Sequence, residues 1–175
     1  MFPRKQILND EVKMAIGVGD KLPAGEFTLM GADGPASLSV DEISKGKKII
    51  LFGLPGAYTS TCTTKHMPSF VERADELRSK GIDGIYCLAT NDVFVMQSWG
   101  EATGAHGAGI TMLTDGPSDF VKALGLNFSA PPVGFVDRCK RFAAIVDDGT
   151  VTAIGIDENP GECSLSSGLS ILDQL

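Results

Sequence analysis

The apolar positions along this chain fall into short blocks with two different periods. Residues 46–52 end in Ile49-Ile50-Leu51-Phe52, a near-continuous apolar run that predicts a central strand covered on both faces. Residues 26–30 alternate and predict a short strand, followed by a turn over residues 31–35. Residues 39–43 predict one helical turn with Ser39 as its cap. In residues 61–80 the period changes. Met67, Phe70, Val71, Ala74 and Leu77 recur at three- and four-residue steps and form one helical stripe. Pro68 lies inside that stripe and predicts a kink between the first turn and the helix body, and Gly81 ends the helix.

A second buried strand is predicted over residues 82–90, and Asn91-Asp92 starts a helix carrying Val93, Phe94, Met96 and Trp99. A glycine-rich link over 100–109 leads to a third strand at 110–113, then a turn and short helix over 115–124 and a loop over 130–134. Asp147-Asp-Gly149 sits between two apolar blocks, 142–146 and 151–155, and marks a hairpin. Residues 166–175 close the chain as a helix with Leu169, Leu172 and Leu175 on one side. Strands that alternate with helices, then a hairpin and a last helix, predict an α/β domain: a mixed central sheet with helices on both faces.

Composition narrows the picture. The chain has 175 residues, 43% of them hydrophobic, enough for one domain with a sizeable core over residues 15–175. Residues 1–14 read as a poorly specified extension, with two basic residues but no apolar stretch behind them, unlike a secretory signal. The net charge of −7 disfavours nucleic acid or an anionic membrane surface as a partner. No apolar run approaches the ~20 residues of a membrane span. The four cysteines at 62, 87, 139 and 163 form no C-x-x-C pair, so they are read as reduced thiols in a cytoplasmic setting, with an organelle still open.

The chemistry centres on Cys62. The strand ending at Phe52 runs into a Pro-Gly turn, then a cluster of hydroxyl residues, then this cysteine at a helix start, where free backbone N–H groups favour a thiolate. A small buried apolar role is the bland alternative. Thr59, three residues upstream, has a hydroxyl that can donate to the thiolate and accept from a substrate hydroxyl, or simply close a turn. Pro55 can shield the sulfur or merely punctuate the loop. An arginine is the expected cation, since its fork of donors never loses its charge. His66 lies four residues after Cys62 on the same helix face. That spacing leaves open a Cys-His pair or two metal ligands, but two ligands do not make a metal site, and the only other histidine is His106. No metal or other cofactor is expected.

Pro55-Gly-Ala-Tyr-Thr59-Ser-Thr-Cys62 resembles the P-x-x-x-T-x-x-C active-site motif of the peroxiredoxins, and the run on to His66, Pro68 and Phe70 resembles their type II group. Segments around residues 46–52, 74–81, 90–96, 99–100 and 138–142 are similar to that group in the same order, so the resemblance covers roughly residues 15–175. Tyr58 and Ser60 depart from it, standing where phenylalanine and proline are usual. The resemblance implies a thioredoxin-like fold, a homodimer, and a thiol-dependent peroxidase acting on hydrogen peroxide and organic hydroperoxides. A peroxide-sensing protein without turnover is the rival reading.

By the same resemblance, Cys62 is the peroxidatic cysteine that becomes a sulfenic acid, Thr59 binds the peroxide oxygens, Pro55 shields the thiolate, and Arg138 holds the thiolate and polarises the peroxide. Arg141 is the fallback cation, expected to point away because it is an odd number of residues from Arg138 on an extended segment. Two cysteines are candidates to resolve the sulfenic acid. Cys163, in a polar loop before the last helix, resembles the resolving region of the animal enzyme. Cys87, 25 residues after Cys62, matches plant members. Thioredoxin or glutathione with glutaredoxin is the implied reductant, and a one-cysteine cycle served by glutathione remains open.

Overall fold

The computed structural model describes residues 14–175, so all but the last residue of the expected 1–14 extension lies outside the described residues. The chain opens with an antiparallel hairpin, β1 (Glu26–Gly31) and β2 (Gly34–Ser39). The second strand begins inside the expected turn at 31–35 and runs through residues to which the sequence assigns no element. It is an edge strand, so the missing N–H of Pro35 leaves no gap inside the sheet. Ser39 then caps α1 (Val40–Ser44) in a reciprocal box: its hydroxyl accepts from Glu42 N at 3.2 Å, and the Glu42 carboxylate accepts from Ser39 N at 2.7 Å.

The apolar run forms β3 (Lys48–Gly53). The expected helix over 61–80 comes in pieces. A wide π-type turn, Cys62–His66, leads directly into α2 (Met67–Val71), and α3 (Ala74–Ser79) follows after a break at Glu72 and Arg73. In the wide turn Met67 N donates back to Cys62 O. It lies just ahead of Pro68, which has no N–H to continue the ladder and whose ring crowds the previous turn, so the expected kink takes this form.

Next come β4 (Gly84–Ala89) and α4 (Val93–Ala102), whose first turn is capped by the Asp92 carboxylate. Then follow β5 (Thr111–Thr114), α5 (Asp119–Ala123) and a small ribbon of β6 (Asn127–Ala130) and β7 (Phe135–Cys139). The expected loop at 130–134 joins the two strands of this ribbon, and the extended segment expected around Arg138 is β7. The Asp147-Asp-Gly149 hairpin joins β8 (Arg141–Asp147) to β9 (Thr150–Asp157), and α6 (Gly168–Leu172) closes the chain. This last helix is shorter than expected and buries Ile171, while Leu169 is half exposed. Of the three leucines expected on one side, Leu172 and Leu175 pack against the core, and only Leu169 turns outward, because a spacing of three drifts around a 3.6-residue helix.

Seven strands form one mixed sheet in the order β2-β1-β5-β4-β3-β8-β9, with β6 and β7 in a separate antiparallel pair. The central trio β5, β4 and β3 is parallel, and β8 returns antiparallel beside β3. Alternation along β3 splits its side chains between two cores. Ile50 and Phe52 pack with Met67, Phe70, Leu77 and Trp99 on one face, while Ile49 and Leu51 pack with Val40, Ile43, Phe120 and Val121 on the other. The expected mixed sheet covered on both faces is therefore present. Replacing Ser39 by Ala should cost about 1 kcal/mol of stability. In urea denaturation this should appear as a lower midpoint with an unchanged slope.

Candidate active site

Three strand termini converge at one end of the sheet. Gly53, the last residue of β3, pairs with Phe142 near the start of β8, and Arg141 pairs with Asp157 at the end of β9. The loop leaving β3 therefore reaches Cys62 beside the residue that begins β8. The segment leaving β9, which carries Cys163, starts at the same place.

The loop from Leu54 to Thr61 is pinned from several sides. Leu54 N donates to Leu88 O at 3.1 Å, and Ala57 N donates to Asn91 Oδ1 at 2.8 Å. Tyr58 takes a left-handed conformation, with φ of 61°, and its hydroxyl meets Ser98 Oγ on α4 at 2.6 Å. The hydroxyl of this departure from the family pattern thus ties the loop to a helix. The Thr59 hydroxyl donates to Gly56 O at 2.7 Å. Its proton is committed to closing the turn, and its lone pairs are left to accept. A Cβ at Gly56 would lie 2.7 Å from Arg138 Nη1, so a larger residue there would displace the end of the Arg138 side chain.

Cys62 is only 1% exposed, and its sulfur faces a guanidinium. That guanidinium belongs to Arg141, whose Nη1 and Nη2 each lie 3.4 Å from Sγ. The expectation that Arg138 meets the sulfur and Arg141 points away is thereby corrected. Arg138 instead donates to Pro55 O at 3.2 Å and lies over the Phe135 ring, with 5.0 Å to the ring centroid. The reason is the change of sheet between them. Arg138 is on the separate ribbon, whereas Arg141 begins β8 and shares the face of Ala143 and Ile145, which pack in the same core as Cys62. Alternation counted back along β8 from those apolar residues would have found it.

His66 is fully buried, with its ring against Phe52 (centroids 5.2 Å apart) and Phe70 (5.6 Å). Nε2 lies 2.9 Å from Ser166 O and must donate to that carbonyl, so Nδ1 is the acceptor for Arg141 Nη1 at 3.0 Å. Burial, reinforced by the Arg141 charge, pushes its pKa down to about 3, and the ring is neutral. With both nitrogens occupied and a cation between His66 and Cys62, this histidine is neither a base for the thiol nor half of a metal site. Among the described residues, no group of three or more His, Cys, Asp or Glu side chains is gathered as a metal ion requires.

Asp157 is a residue that no local sequence signal marks. Its carboxylate accepts from the backbone N of Ser164, Leu165 and Ser166 and from both serine hydroxyls. Burial pushes its pKa up, but hydrogen bonds led by Ser166 outweigh that and hold the carboxyl below the usual range. A cavity of about 150 Å³ beside the arginine is lined by Pro55, Phe128, Lys140, Arg141, Asp157, Glu158 and Pro160.

The other cysteines differ sharply in setting. Cys87 faces the core opposite Phe52, is fully buried, and has its thiol pKa pushed well up by burial. Cys139 is also fully buried and pushed up by the same cause, so the neighbouring arginine does not make it acidic. Cys163 is half-buried in the segment after β9. Burial raises its pKa, while Arg141 acts in the opposite direction.

The Redoxin family model matches residues 17–172. Peroxiredoxin-2B of Arabidopsis thaliana is 41% identical over 161 residues, which is 91% of this chain and 98% of the relative. The chloroplastic peroxiredoxin-2E-2 of Oryza sativa is 40% identical over 168 residues, 94% of this chain and 74% of that protein. Among solved structures, reduced Prx3 of Vibrio vulnificus in complex with hydrogen peroxide is 38% identical, with a TM-score of 0.85 over 91% of this chain and 98% of the other.

The buried histidine sets an acid limit on stability. The unfolded chain takes up its proton near pH 6.5, but the folded chain resists until about pH 3. Stability is therefore full above about pH 6.5 and falls as the pH drops through that window, by up to ~1.4 kcal/mol per pH unit. Urea titrations between pH 6.5 and 5 should show this slope, and His66→Asn should flatten it.

Proposed function

The chain belongs to the Redoxin family, among the type II peroxiredoxins, which are thiol-dependent peroxidases, and we propose that Cys62 is its peroxidatic nucleophile and Arg141 the cation that serves it. The observation that carries this reading is the pair of Arg141 N–H groups aimed at the sulfur from 3.4 Å, inside the Pro55–Cys62 motif. The fold is thioredoxin-like, with the site at the end of a central parallel strand.

The mechanism follows from those donors. The Cys62 thiolate attacks the terminal oxygen of a hydroperoxide. The S–O bond forms as the O–O bond breaks, sulfur is oxidised to a sulfenic acid, and the departing oxygen leaves as hydroxide or alkoxide and takes a proton from solvent. Arg141 holds the thiolate before the attack and meets the negative charge that develops on the departing oxygen. Thr59, with its proton given to Gly56 O, accepts from the peroxide O–H and orients it. Pro55 walls off the site and anchors Arg138 through its carbonyl. Arg138 holds the loop and does not contact the sulfur.

Regeneration is assigned to Cys163. Its support is a partly exposed position on the segment that touches Arg141, against a Cys87 that is sealed in the sheet. The Cys163 thiol gives up its proton and attacks the Cys62 sulfenic acid, the S–S bond forms, and water leaves. Thioredoxin, or glutathione with glutaredoxin, then returns two electrons to the disulfide. The substrate class is hydrogen peroxide and small organic hydroperoxides, the physiological role antioxidant defence and redox homeostasis, and the setting the cytoplasm, although relatives include chloroplastic and mitochondrial proteins. The proposed assembly is a homodimer. Its support is the exposed Tyr58 and Phe94 beside the site loop, since Tyr58 meets Ser98 one helical turn from Phe94.

Residues 15–175 are proposed to act as one peroxiredoxin domain. Cys62→Ser should abolish peroxide consumption. Arg141→Gln should slow Cys62 oxidation about 100-fold or more, and Arg138→Gln far less. Stopped-flow oxidation measures both, and equal losses at the two arginines would return Arg138 to the reacting atoms. After one equivalent of peroxide, mass spectrometry should show loss of two hydrogens and a Cys62–Cys163 crosslink. A sulfenic acid that persists at Cys62 would rule out Cys163 as its partner.

A further inference from the structure

Arg141 carries five N–H hydrogens, and every one has an acceptor. Two meet Cys62 Sγ at 3.4 Å. Nε donates to Glu162 O at 2.9 Å, Nη2 to Pro160 O at 2.9 Å, and Nη1 to His66 Nδ1 at 3.0 Å. The last three bonds decide where the first two point, because a guanidinium is planar and rigid. They are not equivalent anchors. Two are backbone carbonyls on the exposed segment after β9, and only the imidazole belongs to the buried core.

The imidazole is itself fixed. The rings of Phe52 and Phe70 pack against it, and its Nε2–H is held by Ser166 O. Ser166 is clamped in turn by Asp157, through its N at 3.1 Å and its hydroxyl at 2.6 Å. This second shell fixes the tautomer and leaves Nδ1 as a bare acceptor facing the guanidinium. The charged and titratable groups that bear on the ring are Arg141 from β8, Asp157 from β9 and Cys62 from its own turn.

We propose that His66 is a positioning residue for the Cys62 reaction: its Nδ1 holds the Arg141 guanidinium in the plane in which two N–H groups meet the sulfur and then the departing peroxide oxygen. The proposal rests on the peroxidase reading and on the Arg141 role given above. It assigns a function to the acceptor at one ring position, not to the bulk of the ring.

Three variants of the full chain test it. His66→Asn places Oδ1 where Nδ1 sits and restores the acceptor. His66→Gln carries its amide out to the level of Nε2, and His66→Leu has no acceptor. In single-turnover stopped flow with hydrogen peroxide, Asn should stay within about threefold of the unsubstituted protein, while Gln and Leu should oxidise about tenfold slower or more. Alkylation by iodoacetamide needs no donor on a departing oxygen, so the ratio of the peroxide rate to the alkylation rate should fall in Gln and Leu and hold in Asn. A merely structural role predicts that Asn and Gln fall together and that both reactions slow alike, and either result overturns the proposal. So does a Gln or Leu variant that keeps the full rate. An unsubstituted protein that failed to react with peroxide would overturn the peroxidase reading itself, before any variant is compared.

Discussion

The site depends on one buried charge. The Arg141 guanidinium is 1% exposed, and a charge so far from water is tolerated only when each of its donors is met. The fold meets all five, with two backbone carbonyls, one imidazole nitrogen and a sulfur that takes two. Remove any acceptor and the cost falls on the same group that serves the nucleophile. The neutral state of His66 follows from burial first and from this constraint second, since an imidazolium would turn an acceptor into a donor and set two cations side by side.

The sheet makes this cluster inexpensive to build. Because β3 and β8 run antiparallel, the loop that leaves one strand meets the first residue of the other. Because β8 and β9 form a hairpin, Arg141 stands opposite Asp157, which gathers the backbone of Ser164, Leu165 and Ser166. That turn delivers the Ser166 carbonyl to His66. A glycine at 168 completes the docking: its N donates to Ser69 Oγ at 2.8 Å, and a Cβ there would lie 2.3 Å from Ser69 O. Ordering these groups costs conformational entropy during folding, not at the moment of reaction, which is the advantage of a preorganised site.

The same architecture sorts the four cysteines by environment. Burial in the sheet raises the Cys87 and Cys139 thiol pKa values and so disfavours the thiolate that reacts. Cys62 is equally buried but faces a guanidinium, and that contact is what sets the proposed nucleophile apart from the other buried thiols. Cys163 shares the arginine's neighbourhood without its direct contact. The relatives, similar across nearly the whole chain and named as peroxiredoxins, agree with a turnover enzyme more than with a sensor oxidised once.

Much of this could be read from the chain alone, and the reason is that it is local. The Ile49–Phe52 run, the stripe from Met67 to Leu77, the Ser39 cap and the Asp147-Asp-Gly149 turn each encode their element within a few residues. The Pro55–Cys62 motif likewise placed a thiol after a tight turn. What the tertiary structure alone decided is long-range. Which arginine reaches the sulfur depended on a change of sheet at Lys140, and counting from Arg138 carried the alternation across that break. The His66 partners lie 75 and 100 residues away, and Asp157 acts on a segment that no local pattern ties to Cys62. Spacing along the sequence points to the candidate nucleophile, but only packing across the sheet fixes which charge stands over it.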